Sequence, residues 1–223
     1  MANDTMAVIQ ALLQRQALGE NVKQNKPVLT LAYDHGCGGE QVAARLAEQL
    51  NLPLYDKALL QKIATAAGST PEVMAQFDEK ARSNWTDWLH AFSQQHSQEQ
   101  GAYYRHLVNV VLNILHSGGV IVGRGAQVIL AHHRVFRVRL VGFLERCAQR
   151  LANENGLDFT AAREEIERVN HEKGKFVWDY FKHRHNNPTH FDLMLNTDHL
   201  SDAHAVADLI IAAFAVYQQH VIV

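Results

Sequence analysis

The chain has 223 residues, 47% of them hydrophobic, and its 21 Lys+Arg against 23 Asp+Glu leave a formal net charge of −2. That length can bury a full core as one domain, and the near-neutral balance without a long basic run argues against a general nucleic-acid binder. No stretch reaches the roughly 18 apolar residues that cross a bilayer, and Cys37 and Cys147 lie too far apart in sequence to read as a disulfide or zinc framework, so a reducing cytoplasm is the expected home.

In chain order, Met6, Ile9, Leu12, Leu13 and Leu18 recur at near-helical spacing and predict a short leading helix, with a polar linker up to residue 26. This segment has no basic start followed by an apolar core and cleavage site, so it does not read as an export signal. It is expected to dock on the body of the protein or on a second copy of the chain, which would make a homodimer, with a frayed tail as the alternative. Pro27 opens "PVLTLAY", a short run that suits a buried parallel strand and ends in glycines. Val42, Ala43, Leu46, Ala47 and Leu50 then form one apolar stripe of a helix. "NLPLYD" reads as extended, with Asp56 as N-cap of the helical "KALLQKIATAAG".

Residues 69–101 are the least patterned. Trp85, Trp88 and Phe92 fall there at helical spacing, which explains them by packing and needs no stacked base. A helix is predicted from Tyr103 to His116, ended by Gly118 and Gly119. "VIVGRG", "VFRVRLVG" and "FDLMLNT" are strand candidates. Helical patterns lie between and after them in "AQVILAHH", "LERCAQRLANENG" and "TAAREEIERVNHEKGKFVWDYFKH". A closing helix from about Ser201 to Gln219 has Val206, Leu209, Ile210, Phe214 and Tyr217 on its inner face. Strands alternating with helices predict an α/β fold around a parallel sheet with helices on both sides.

The loop after the first strand, "YDHGCGGEQ", has the layout of a phosphate cradle. Glycines let the backbone approach an anion, and the free N–H groups at the helix start point into the same space. Gly36, Gly38 and Gly39 meet that need, with Cys37, Glu40 and Gln41 completing the candidate phosphate-binding set. When Gly36 and Gly38 are laid on the internal glycines of G-x-x-x-x-G-K-[ST], Tyr33 falls at the first glycine, Gly39 at the lysine and Glu40 at the hydroxyl residue. A tight turn without a ligand is the plain alternative, and a dinucleotide fingerprint using Asp56 fits less well because Gln41 stands where a small residue is required. Cys37 is read first as a small turn residue and second as a thiol activated by a helix start. His183, His185, His190 and Asp192 lack regular ligand spacing, so no metal site is assigned.

Taken together, "PVLTLAYDHGCGGEQVAARLAEQLNLPLYDKALL", "GGVIVGRGAQVIL", "VFRVRLVGFLERCAQR", "HEKGKFVWDYF" and "FDLMLNTDHLS" come in an order that resembles the cytidylate kinase-like family of P-loop nucleoside monophosphate kinases. The resemblance covers residues 27–215. It implies a P-loop kinase-like, three-layer α/β/α fold with a central parallel sheet and a helical lid at about 168–188. The domain would span 27–219, after an N-terminal helix and linker over 1–26. It further implies ATP and Mg²⁺ carried on the nucleotide phosphates, and a nucleotide or small phosphorylated molecule as partner, with neither nucleic acid nor membrane. Arg124 in "VGRG" matches the family's acceptor-phosphate arginine, Asp56 could face the acceptor nucleoside, and Lys173 and Lys175 match basic lid positions that act in catalysis. The family's lid usually carries arginines there, and this loop lacks even the usual Arg-Glu or Ser-Thr replacements. Three functions therefore compete: a kinase acting on a nucleoside monophosphate, a nucleotide-binding or regulatory module that has lost catalysis, and a purely structural protein.

Overall fold

The computed structural model describes residues 26–60, 98–200 and 202–220. The leading helix expected over 5–18 and the stretch holding Trp85, Trp88 and Phe92 lie outside them. Strand β1 (Val28–Tyr33) is buried at its first four positions, and β3 (Gly119–Val122) at all four. Two covered faces leave no solvent side to keep polar, which is why these strands read as continuous apolar runs. With β2 (Leu54–Tyr55), β4 (Phe136–Val141) and β5 (Leu193–Asn196) they form a five-stranded sheet in the order β2-β3-β1-β4-β5. β1 pairs in parallel with β3 and β4, and β4 with β5, placing Thr30 beside Ile121 on one side and Arg137 on the other. β3 and β4 flank β1 on opposite sides, so the carboxyl ends of β1, β3 and β4 lie together at one edge of the sheet, where α/β sheets bind ligands.

The chain falls into two compact units. Val28–Leu54 with Gly119–Val223 is organised around the sheet. Its helices are α1 (Gly39–Gln49), α3 (Ala126–Ile129), α4 (Leu144–Asn155), α5 (Phe159–Phe181) and α6 (Ala203–His220). Leu29, Leu31, Phe136, Val138 and Leu140 of the sheet share one core with Val42 and Leu46 of α1, Ala148 and Leu151 of α4, Ile166 of α5, and Val206, Ile210 and Phe214 of α6. The other unit, Met1–Pro27 with Tyr55–Gly118, contains α2 (Gln98–Ser117). In its described residues Tyr55, Leu107, Val111 and Ile114 are buried, and α2 ends at left-handed Gly118, whose amide donates to Ile114 O at 2.8 Å.

Two expectations need correction. Leu209 is 48% exposed, because Val206, Ile210 and Phe214 set the buried line of α6 at four-residue intervals and leave position 209 on its flank. Helix α3 stops at Ile129 instead of covering "AQVILAHH", since the chain has to turn and enter β4 at residue 136. Among the described residues, no helix is long and apolar enough to cross a membrane.

Candidate functional site

The residues gathered at this site belong to the sheet-centred unit. The loop leaves β1 at Asp34 and enters α1 at Gly39. Gly36 at φ +80° and Gly38 at φ +71° take the left-handed conformation that the turn requires. A Cβ at Gly36 would lie 2.8 Å from the carbonyl oxygen of Cys147, so only glycine lets the loop sit this close to α4. Gly38 is the N-cap of α1 and no side chain caps the helix. The first-turn amides of Gly39, Glu40 and Gln41 therefore lack a capping side chain, and with the positive end of the helix dipole they form an anion-attracting start. At Gly39 a Cβ would lie 2.1 Å from Tyr33 Cγ: the tyrosine ring covers the backbone at the position where a loop lysine would branch. The exposed Glu40 carboxylate accepts a hydrogen bond from Tyr33 OH at 3.1 Å.

Helix α5 brings a cation to this place. Asp158 caps its start by accepting from Thr160 N at 2.9 Å. The ion pairs Arg168–Glu172 and Lys175–Asp179, each one turn apart, line its solvent side. On the opposite side Lys173 donates from Nζ to Tyr33 O at 3.0 Å, with Nζ 4.0 Å above the Tyr33 ring. Burial pulls the Lys173 ammonium down to about 8, against the opposing pull of the Asp34 and Glu40 carboxylates. One turn earlier, Asn170 Oδ1 accepts the His35 N–H at 2.8 Å, and Glu165 lies 3.6 Å from the His35 ring. Burial, followed by the charge of Lys173, lowers the His35 pKa. Lys173 and Lys175 are two residues apart, about 200° around a helix, so a straight α5 cannot present both to one point. Lys175 faces solvent and pairs with Asp179 at 2.5 Å.

The turn after β3 supplies Arg124. It sits at φ +55° between Gly123 at +68° and Gly125 at +71°, three left-handed residues in succession. Its guanidinium carbon lies 4.9 Å from the Phe176 ring centre on α5. A Cβ at Gly125 would lie 2.2 Å from the Phe181 ring. From β4, Arg139, only 3% exposed, donates to Asp34 at 2.6 Å and to the carbonyl of His185 at 3.3 Å. Burial lowers its pKa while Asp34 opposes that.

The structure thus gathers Gly36, Cys37, Gly38, Gly39, Glu40 and Lys173 around the loop and places Arg124 at the neighbouring strand end. Asp56 belongs to the other unit, where its carboxylate accepts from Leu59 N at 2.7 Å as a helix cap. Asp192 commits both oxygens to Arg137, at 2.7 and 2.9 Å. Reasoning from sequence missed Tyr33 as the cover of Gly39, Asn170 and Phe176 as contacts of α5, and the Asp34–Arg139 pair. A signal for the last was present: an arginine between apolar residues of a buried strand requires a carboxylate nearby.

The chain matches the model of the cytidylate kinase-like family over residues 28–199, well over half its length. No curated protein matches it. Among solved structures, an uncharacterized protein from Eubacterium ventriosum is 22% identical, with a TM-score of 0.66, over 86% of this chain and 99% of that one. Shikimate kinase from Bacteroides thetaiotaomicron is 14% identical at a TM-score of 0.47, over 86% of this chain and 98% of the other. Dephospho-CoA kinase from Campylobacter jejuni is 8% identical at 0.39, over 87% and 98%.

Proposed function

The chain belongs to the cytidylate kinase-like family, and from that premise we propose that it transfers the γ-phosphoryl group of ATP to a nucleoside monophosphate, CMP-like, or to a related small phosphate acceptor. The observation that carries this reading is the Lys173 ammonium, held 3.0 Å from the end of β1 beside a glycine loop that has no lysine of its own. A cation delivered by α5 supplies the charge missing from position 39. Its burial strengthens its pull on a transferring phosphoryl group, because little water screens it.

Left-handed Gly36 and Gly38 and the uncapped start of α1 fit the donor's phosphate chain. Arg124 offers the acceptor phosphate a planar, bidentate fork. An acceptor oxygen would attack the γ-phosphorus in line while the bond to the ADP oxygen breaks, with Lys173 neutralising the equatorial oxygens. Lys175 would join only if α5 bends or unwinds next to Lys173 on substrate binding, and its exposed pair with Asp179 offers little resistance. Mg²⁺ carried on the nucleotide would neutralise donor oxygens; at the loop the Glu40 carboxylate offers it an oxygen, directly or through water, whereas Asp34 is engaged by Arg139.

The test is a coupled assay with Mg·ATP against CMP, AMP and other small phosphate acceptors. Turnover is expected with at least one acceptor, reduced at least about 100-fold in Lys173→Ala. A second reading, a nucleotide-binding or regulatory module without catalysis, is favoured by the Tyr33 ring lying over Gly39, which leaves no room for a restored lysine. Thermal stabilisation by Mg·ATP with no turnover on any acceptor selects that reading; stabilisation by no nucleotide sinks both.

A further inference from the structure

Cys37 and Cys147 are 110 positions apart in sequence, yet their buried sulfurs lie 3.5 Å apart behind the glycine loop. Cys37 stands between Gly36 and Gly38, with its buried side chain turned to Cys147 of α4. Cys147 lies on the first turn of α4, with its amide bonded to Phe143 O. The Arg150 guanidinium, held by the carbonyl of Thr197 at 2.9 Å, reaches the Cys147 sulfur at 3.5 Å. We propose that this pair is a redox-sensitive dithiol that closes to a disulfide in the presence of a hydroperoxide and, by doing so, pulls the glycine loop out of its phosphate-binding shape.

The two sulfurs are not equivalent. A cation beside one of them makes that one the acceptor of the thiol–thiol hydrogen bond. Cys147 is accordingly drawn below the ordinary cysteine range, to about 7, first by the hydrogen bond from Cys37 and then, against burial, by Arg150. The same hydrogen bond, followed by burial, pushes Cys37 up. Cys147 is therefore the attacking sulfur and Cys37 the resolving one.

In the first step the Cys147 thiolate attacks one oxygen of the hydroperoxide. The O–O bond breaks and the other oxygen leaves, taking up a proton as an alcohol, or as water when the oxidant is hydrogen peroxide. Cys147 is oxidised by two electrons to the sulfenic acid. In the second step Cys37 gives up its proton, its sulfur attacks the Cys147 sulfur, and the S–O bond breaks. Hydroxide leaves with that proton as water. Two equivalents of a small thiol reverse the bond by successive exchange, leaving as their own disulfide.

Closing the bond shortens 3.5 Å to about 2.0 Å. The approach falls on the loop at Gly36, where a Cβ would already lie within 2.9 Å of two Cys147 atoms. Drawing Cys37 toward α4 rotates the amides flanking it, and weaker binding of a phosphate chain follows. That consequence rests on the phosphate-site reading above, whereas formation of the bond does not.

The experiment treats the full-length chain with a few equivalents of hydrogen peroxide and maps it without reductant by mass spectrometry. A Cys37–Cys147 cross-linked peptide, two hydrogens lighter and restored by dithiothreitol, is expected. Two intact thiols, or separate sulfinic acids without a cross-link, overturn the proposal. In Cys37→Ser, Cys147 should accumulate as a sulfenic acid trapped by dimedone, while in Cys147→Ser the Cys37 thiol should react about tenfold more slowly. Equal rates in the two variants overturn the assignment of the attacking sulfur. Mg·ATP should raise Tm less in the oxidised than in the reduced wild-type chain; a cross-linked chain that responds undiminished overturns the switch. Absence of any Mg·ATP response in the reduced chain counts against the phosphate reading alone, and the cross-link map still decides the dithiol.

Discussion

At position 39 a side chain would begin 2.1 Å from Tyr33 Cγ, so any residue other than glycine has to displace a ring that is itself tied to Glu40 and to Lys173. Gly39→Ala is expected to lower unfolding free energy by about 1–3 kcal/mol in urea titration, the usual cost of overpacking. In a Tyr33→Ala background, itself less stable, the same change should cost much less, because the obstacle is gone. Lys173 makes a prediction in pH. Its folded pKa, about 8, lies below the ordinary lysine value of 10.5. The unfolded chain therefore binds more protons between those values, and the stability penalty of the buried ammonium, full below about 8, is relieved as pH rises toward 10.5. Activity runs the other way: kcat/KM should fall as pH rises through about 8, where the free protein loses the cation. Lys173→Arg should flatten that fall, because a guanidinium does not titrate there.

Helix α5 works as an element because one of its faces is used along most of its length. Asn170 and Lys173 hold the loop after β1, and Phe176 and Phe181 hold the turn after β3. Its outer face carries ion pairs that are exposed and worth little individually. On the proposed reading, this grip on two strand ends is what would hold α5 as a lid over the phosphate site. Gly125→Ala places a Cβ 2.2 Å from the Phe181 ring at a residue with φ +71°. It is expected to cost about 1–3 kcal/mol and to raise amide hydrogen exchange in α5 before the sheet responds. Arg124→Gly separates function from stability. It relieves a non-glycine residue from φ +55° but gives up the contact with Phe176, so Tm should shift little while acceptor KM rises at least about tenfold.

Across the sheet-centred unit, the charges that matter sit at the carboxyl ends of its central strands. Asp34 follows β1, Arg139 lies in β4, and their 2.6 Å contact bridges the two strands beside the loop. Arg139 is buried and therefore needs its carboxylate, and Arg139→Met should cost about 3 kcal/mol, the low end for an uncoupled buried pair because Asp34 keeps some water. Asp34→Leu with Arg139→Met should lose less than the single change in the same urea titration, since no unpaired charge remains.

Alternating apolar runs and glycine punctuation were enough to read β1, β3, β4, β5 and the long helices from the sequence, because burial of two-faced strands and one-faced helices is written into local periodicity. The glycine loop was legible for the same reason: Gly36, Gly38 and Gly39 follow a strand and open a helix. What periodicity cannot carry is which distant side chains meet. Lys173 and Lys175 looked equivalent until α5 was laid against the loop and turned one inward and the other out. Cys37 and Cys147, dismissed as too distant in sequence, touch because β4 lies beside β1 and delivers the start of α4 behind the loop. Local pattern is set by which residues must leave water, whereas pairing across the sheet depends on strand order and register, and those are decided only when the whole core closes.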